Sequence, residues 1–72
     1  MLSIYSKEYR AFLGRLKGQR KKLGKTQVEV AKILKKPQSF VAKTESGERR
    51  LDFVELQVLA KLYKKPLSYF ET

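Results

Sequence analysis

The chain has 72 residues, which allows one domain around one small hydrophobic core. Its 17 lysines and arginines against 7 acidic residues give a net charge of +10, and this charge favours a polyanionic partner: duplex DNA, RNA or an anionic membrane surface. Cysteine and histidine are absent, so the sequence excludes disulfides, zinc sites made of these residues, cysteine nucleophiles and histidine general bases. We expect no metal and no cofactor.

Residues 1–5 are predicted to form a flexible arm ahead of helix 1. Ser6 is a suitable N-cap residue, and Gly24 suits the left-handed position that ends a helix. Between them, apolar residues and one arginine recur at three- and four-residue steps: Tyr9, Phe12, Leu13, Leu16, Arg20 and Leu23. This period predicts a helix with one face toward the core.

Residues 26–46 have the pattern of two short helices joined by a tight turn. Thr26, followed by Glu29 three residues later, predicts a capping box at the start of helix 2. Pro37 marks the turn, because it keeps the preceding residue from helical angles and fits the first turn of a following helix. The predicted inward residues are Val30, Ile33 and Leu34 in helix 2, and Val41 and Thr44 in helix 3. The outer face of helix 3 is therefore not needed for the core.

After Gly47, which ends helix 3, a second capping pattern of Asp52 and Glu55 predicts the start of helix 4. Its predicted inward residues are Val54, Leu56, Leu59, Ala60 and Leu62, while Phe53 and Tyr63 fit either the core or an interface. Pro66 opens a last short helical turn. The prediction is an all-α fold: a compact five-helix bundle without strands, in a single domain over residues 1–72.

Residues 31–40 and 60–69 resemble each other, since both contain a Lys-Lys-Pro run followed by a serine and an aromatic residue. We interpret them as two equivalent helix–turn–helix corners, with lysines at helix C-termini where the helix dipole favours cations. A duplicated unit is the alternative, but two copies are too few for a solenoid.

The sequence resembles the Cro/phage-repressor-like (XRE-type) helix-turn-helix domains, from about residue 9 to residue 70. The residues that carry this resemblance are Arg20, the stretch 22–27, Val30, Ala31, Leu34, Val41, Glu45, Gly47, Arg49, Leu59 and Ala60. It implies a lambda-repressor-like helix-turn-helix domain whose third helix enters the major groove of double-stranded DNA.

The resemblance also implies roles for single residues. Gln38, Ser39 and Lys43 match positions that reach base edges, and Arg20 and Glu45 match a structural salt bridge between helices 1 and 3. Contacts to the DNA backbone are expected from Gln27, Lys36, Arg49 and Arg50. The chemistry of these side chains agrees, because glutamine can donate to and accept from adenine, and lysine donates to guanine.

Two residues depart from the family pattern. Lys35 stands where the family usually has glycine, and a left-handed conformation there would cost about 1 kcal/mol. Pro37 replaces the usual Ser or Thr cap of helix 3, which leaves open whether Gln38 or Ser39 is the main base-contacting residue. Phe40 is expected at the edge of the core, with contact to a thymine methyl as the alternative.

The end of the chain is rich in large apolar residues. Because their number exceeds what the core of so small a monomer needs, we expect Tyr63, Leu67, Tyr69 and Phe70 to form a homodimer interface. Completion of the monomer core is the alternative.

Together these features predict a sequence-specific transcriptional regulator, of the repressor or controller type, that binds an inverted repeat as a homodimer. It would be cytoplasmic and associated with a bacterial or phage nucleoid, because the chain has neither a secretory signal nor an apolar run of about 20 residues. An enzyme is not expected, since capping, an ion pair and loop charge account for the carboxylates. The alternative function is a protein-interaction module or antitoxin-like protein that uses the same fold to bind a partner.

Overall fold

The structure, a computed structural model, describes residues 6–71, so the predicted arm of residues 1–5 lies outside it. All of its regular secondary structure is helical. The elements are α1 (Lys7–Lys22), α2 (Gln27–Leu34), α3 (Gln38–Ser46), α4 (Phe53–Leu62) and a 3-10 helix (Leu67–Phe70), with no strand among the described residues. The predicted all-α class is confirmed. The predicted fifth helix is only a 3-10 turn, because its four residues are too few for a repeated i to i−4 hydrogen-bond pattern.

Side-chain caps start three of the four α-helices at the predicted residues. The Ser6 hydroxyl accepts a hydrogen bond from the Tyr9 N–H at 3.0 Å. Thr26 and Glu29 form a reciprocal capping box, and Asp52 and Glu55 form another. By contrast, α3 begins after Pro37, which has extended backbone angles and gives no side-chain cap. Gln38 is therefore the first residue of α3.

The core lies between α1 and the elements that pack against it. α1 contacts α3 and the 3-10 helix, α2 contacts α3, and α4 contacts the 3-10 helix. The buried apolar residues are Tyr9, Leu13, Leu16, Val30, Ala31, Val41, Leu59, Ala60, Tyr63 and Phe70. Thr44 is buried as predicted, and Gln19, which the sequence pattern did not indicate, is buried as well.

Two residues that were predicted to face the core are exposed. Ile33 is 52 % exposed and Val54 is 64 % exposed. In α2 the small Ala31 faces the core together with Val30, which turns Ile33 toward solvent because successive residues are 100° apart around the axis. In α4 the buried pair Leu59 and Ala60 leaves Val54 on the opposite side.

The apolar C-terminal residues divide between core and surface. Tyr63 and Phe70 are each 2 % exposed in the single chain, whereas Leu67 and Tyr69 are half-buried. The prediction of a dimer interface is therefore wrong for Tyr63 and Phe70, which complete the monomer core. Burial also raises the pKa of Tyr63 to about 12.

Polar side chains of α1 hold this C-terminal segment in place. The Gln19 amide donates a hydrogen bond to the Tyr63 carbonyl oxygen at 3.0 Å. The Arg15 guanidinium donates to the Tyr69 carbonyl oxygen, also at 3.0 Å. The carbonyl groups left open at the end of α4 and in the 3-10 helix thus find donors on α1.

The corner between α2 and α3 turns through a left-handed lysine. Lys35 has φ 58° and ψ 44°, as the comparison with glycine predicted. The Lys36 N–H then donates to the Ala31 carbonyl oxygen at 2.9 Å, and Pro37 has φ −68° and ψ 154° before α3 begins. This is the helix-ending arrangement for which glycine is the usual residue.

The corner between α4 and the 3-10 helix repeats this geometry. Lys64 has φ 59°, the Lys65 N–H donates to the Ala60 carbonyl oxygen at 3.0 Å, and Pro66 has φ −69° and ψ 158°. The two similar sequence segments are therefore two equivalent corners, as predicted. At the end of α1 the same left-handed position is occupied by Gly24, with φ 71°.

We expect Lys35→Gly and Lys64→Gly each to raise the free energy of unfolding by about 1 kcal/mol, because glycine adopts a left-handed conformation without the steric cost of a Cβ. In a domain of this size that change raises the melting temperature by about 4–8 °C. Thermal unfolding followed by circular dichroism measures it. The matched control is Lys32→Gly, in the helical part of α2, which should lower stability by about 1 kcal/mol. Equal effects at positions 32 and 35 would contradict the left-handed strain.

Candidate nucleic-acid interface

The outer side of α3 carries the three residues predicted to reach base edges. Gln38, Ser39 and Lys43 are all exposed, and at 100° per residue they lie within one continuous arc of the helix. The opposite side is held in the core by Val41 and Thr44. The structure thus brings the three residues together on an exposed surface that is not part of the core formed by residues 6–71.

A buried ion pair fixes α3 against α1. The Arg20 guanidinium donates from Nε to Glu45 Oε2 at 2.7 Å and from Nη2 to Glu45 Oε1 at 3.0 Å. Its third donor, Nη1, binds the Lys25 carbonyl oxygen at 2.7 Å in the segment before α2. The two side chains are only 8 % and 7 % exposed. This is the predicted bridge between the first and third helices, and it also includes the entry to α2.

The ion pair continues into a chain of hydrogen bonds that reaches the surface. Gln27 Nε2 donates to Glu45 Oε1 at 3.0 Å, and Gln38 Nε2 donates to Gln27 Oε1 at 2.7 Å. Arg20, Glu45, Gln27 and Gln38 therefore form one connected polar chain from the core to the start of α3. We call it the polar ladder. The bond between the two glutamines, 11 residues apart, has no signal in the sequence.

The ion pair favours the charged form of Arg20 at the inner end of the polar ladder. The hydrogen bond that the Arg20 guanidinium donates to Glu45 raises the pKa of Arg20, and its effect exceeds the opposing effect of burial. A bidentate arginine–carboxylate pair is also geometrically specific, since both N–H groups must point at both oxygens. The outer end of the ladder consists of neutral amides, which can exchange hydrogen bonds with other polar groups.

The structure gives Arg49 a role inside the domain that the sequence prediction missed. Its guanidinium carbon lies 4.3 Å from the centroid of the Phe40 ring, and its Nη1 and Nη2 donate to the two Glu55 oxygens at 2.9 and 2.5 Å. These hydrogen bonds lower the pKa of Glu55. Arg49 thus joins the loop after α3 to α4 through its guanidinium.

Two other predicted backbone-contacting cations remain exposed. The Arg50 guanidinium lies over the Tyr9 ring, 4.9 Å from its centroid, and the Lys36 ammonium lies 5.5 Å from the Phe40 centroid. Phe40 itself is half-buried beneath Lys36 and Arg49 and borders a small cavity with Leu16. Its position is the edge of the core, not the outer face of α3.

Comparison with known protein families agrees with this geometry. The family model HTH_3, described as helix-turn-helix, matches residues 16–70, which is well over half of the chain. The chain belongs to the HTH_3 helix-turn-helix family. Helices α2 and α3, with the turn between them, form the helix-turn-helix motif. The fold is therefore that of a DNA-binding regulator. Searches of curated proteins and of solved structures gave no match.

Within residues 6–71 no three His, Cys, Asp or Glu residues are grouped so that they could hold a metal ion. Over the same range, none of the helices has the length and apolar character needed to cross a bilayer.

We expect Glu45→Ala to lower the free energy of unfolding by about 3 kcal/mol, because it leaves a buried guanidinium without its counter-ion. The double variant Arg20→Met with Glu45→Leu should lose less free energy of unfolding than the single variants Arg20→Met and Glu45→Leu lose together. The reason is that each single variant leaves one buried charge without a partner, whereas the double variant leaves none. Urea unfolding measures both.

The control for this cycle is Arg49→Ala, which breaks the partly exposed pair with Glu55. Partly exposed pairs contribute little, so the expected loss is about 1 kcal/mol or less. If Glu45→Ala and Arg49→Ala destabilise the protein equally, the buried pair does not have the structural importance assigned to it.

Proposed function

We propose that this protein is a transcriptional regulator that binds duplex DNA sequence-specifically, with α3 in the major groove. The polar ladder is the observation that carries the proposal. It holds the amide of Gln38 in a fixed position on an exposed helix face, in a chain with a net charge of +10. An outer face of α3 that only contacted solvent would not require hydrogen bonds that hold the Gln38 side chain in place.

Base contacts follow from the groups left open on α3. One N–H of Gln38 is bound to Gln27, which leaves its second N–H and its carbonyl oxygen for the edge of an adenine. Lys43 supplies a donor for the O6 and N7 atoms of guanine, and Ser39 can donate or accept. Recognition helices contact base edges with their N-terminal residues, and Gln38 is the first residue of α3, so we propose Gln38 as the main base-contacting residue.

Backbone contacts are proposed at the start of α2 and around it. The first turn of α2 has backbone N–H groups without helical partners, and its dipole favours a phosphate next to Gln27. The exposed side chains of Lys36 and Arg50 carry positive charge that would contact further phosphates. Such contacts position the protein on the duplex and strengthen binding without selecting a sequence.

A homodimer on an inverted repeat completes the proposal. With Tyr63 and Phe70 in the core, the candidate interface residues are the half-buried Leu67 and Tyr69. Phe53, which is 64 % exposed, lines the same groove as Leu67 and extends this apolar surface. An isologous contact there would place two α3 helices on successive turns of one DNA face.

The experiment is selection of bound duplexes from a random DNA library at physiological salt, followed by sequencing. The expected result is an inverted repeat with half-site centres about 10–11 base pairs apart. A single half-site would keep sequence-specific DNA binding and contradict the dimer. No enrichment, with binding that disappears as salt rises, would contradict the proposed function and favour the protein-interaction or antitoxin-like alternative.

A triple variant tests whether α3 selects the sequence. Gln38→Ala, Ser39→Ala and Lys43→Ala together should abolish enrichment while leaving the helical circular dichroism unchanged. The control removes the same three residue types from exposed positions elsewhere: Gln57→Ala, Ser68→Ala and Lys17→Ala. It has the same net charge as the test variant, so loss of enrichment in both would mean that only charge is needed.

The two loop arginines should differ in their effect on salt dependence. Arg50→Ala is expected to reduce the slope of log K against log salt by about 1, with little change in sequence preference, because it removes one phosphate contact. Arg49→Ala should leave the slope nearly unchanged, because its guanidinium is bound to Glu55. Fluorescence anisotropy of a labelled duplex over a salt series measures both, and equal slopes for the two variants would contradict the assignment.

A further inference from the structure

A second apolar surface lies on the solvent side of α4. Val54 and Val58 are 64 % and 47 % exposed, although they belong to a helix whose other side is in the core. They are four residues apart, so their side chains lie one above the other, about 6 Å apart along the axis. We call this pair the α4 ridge.

Each side of the α4 ridge is bordered by a groove that leads to one of the two equivalent corners. One groove runs from Val54 and Val58 to Leu34, Lys36 and Phe40 at the corner between α2 and α3. The other runs from the same two valines to Lys61, Lys65 and Pro66 at the corner before the 3-10 helix. The repeated corner sequence therefore places a lysine and a proline or aromatic residue beside the ridge on both sides.

The rim of these grooves is positive. Lys36 and Lys65 are held near it by contact with aromatic rings, their ammonium groups lying 5.5 Å from the Phe40 centroid and 4.7 Å from the Tyr69 centroid. Lys61 adds a third cation on α4 itself. The carboxylate that borders the grooves, Glu55, is already paired with Arg49. A ligand that complements this surface is apolar where it meets the ridge and negatively charged where it meets the lysines at the rims.

We propose that the α4 ridge and its two grooves bind an acidic amphipathic helix of a partner protein. Apolar side chains of such a helix, spaced three and four residues apart, would straddle Val54 and Val58, while its carboxylates would face Lys36 on one side and Lys61 and Lys65 on the other. A second copy of this chain fits the ridge itself less well, because a contact centred on Val54 and Val58 would bring the same lysines of both copies against each other in a protein of charge +10. The homodimer contact proposed at Leu67 and Tyr69 lies next to the second groove, which Leu67 also lines, and not on the ridge. The prominent apolar groups of duplex DNA are thymine methyls in the major groove, where α3 and not the α4 ridge is proposed to lie.

The probe is a synthetic helical peptide of about 15 residues with leucines at i, i+3, i+4 and i+7 and glutamates on the other face. Titrated into the ¹⁵N-labelled protein without DNA, it should shift the amide signals of Val54, Val58 and Lys61. A peptide of the same composition in scrambled order, and one with lysines in place of the glutamates, should not bind. Equal affinity for the scrambled peptide would overturn the proposal, since charge alone would then explain binding.

Variants of the ridge have a matched control in α2. The double change Val54→Ser and Val58→Ser should weaken peptide binding by about 10-fold. The control is the double change Val28→Ser and Ile33→Ser, at side chains that are 49 % and 52 % exposed but lie outside the two grooves. It should leave the affinity for the peptide unchanged. Both variants should keep the fold, because all four side chains are exposed.

Two further outcomes would overturn the proposal in favour of another occupant. Concentration-dependent shifts at Val54 and Val58 without peptide would assign the ridge to a second copy of the chain. Shifts on addition of phosphatidylglycerol vesicles, with none from the peptide, would assign it to an anionic membrane. Selection of DNA by the Val54→Ser and Val58→Ser variant, measured separately, distinguishes failure of this proposal from failure of the proposed DNA-binding function.

Discussion

The buried pair of Arg20 and Glu45 is the interaction on which the rest of the structure depends. The short chain has a small core of ten buried apolar residues, within which α1 packs on α3. The guanidinium adds a directional link, because it binds both oxygens of Glu45 and the Lys25 carbonyl at once. It thereby fixes the angle of α3 and the starting point of α2 together. Burying two charges is costly in itself, so the pair is best understood as a device for specificity of arrangement rather than as a source of stability.

The same link explains why the start of α3 is well defined although it has no side-chain cap. Pro37 gives no hydrogen bond to the first turn, and the preceding Lys35 has a strained backbone conformation. The bond from Gln38 to Gln27, and from Gln27 to Glu45, supplies a tertiary support at that point. Local weakness at the corner is thus offset by a contact with the helix that precedes it.

The two left-handed lysines show how charge and local stability compete. At the end of α1 the left-handed position is glycine, which has no steric cost there, whereas Lys35 and Lys64 each cost about 1 kcal/mol. In return each lysine places a cation at a helix C-terminus, where the dipole favours it, and next to a second lysine. This positive charge at the two corners would add to the attraction of the two proposed partners, which are both negatively charged, and glycine would not supply it.

The sequence predicted the helix ends better than the helix faces, and the reason is physical. Thr26 with Glu29 and Asp52 with Glu55 are local signals, because a cap is made by residues within one turn of each other. Ile33 and Val54 were assigned to the wrong side because short helices with apolar residues on several sides do not define one apolar face. The sequence does not show that Tyr63 and Phe70 belong to the core, because the space that the packed helices leave for them is a tertiary property.

For the site, helix periodicity predicts the arc of Gln38, Ser39 and Lys43. The Gln27–Gln38 bond and the pairing of Arg49 with Glu55 become visible only in the folded structure.

The two proposed surfaces are distinct but not independent. Lys36 belongs to the corner that precedes α3, and it also borders the groove between the α4 ridge and Phe40. Carboxylates bound beside it would reduce the positive field that duplex DNA meets at that corner, so an acidic partner on the α4 ridge must weaken DNA binding. By linkage, DNA must weaken binding of the partner by the same factor. Under the two proposals, the negatively charged partners compete for one region of positive charge, and this competition regulates DNA binding.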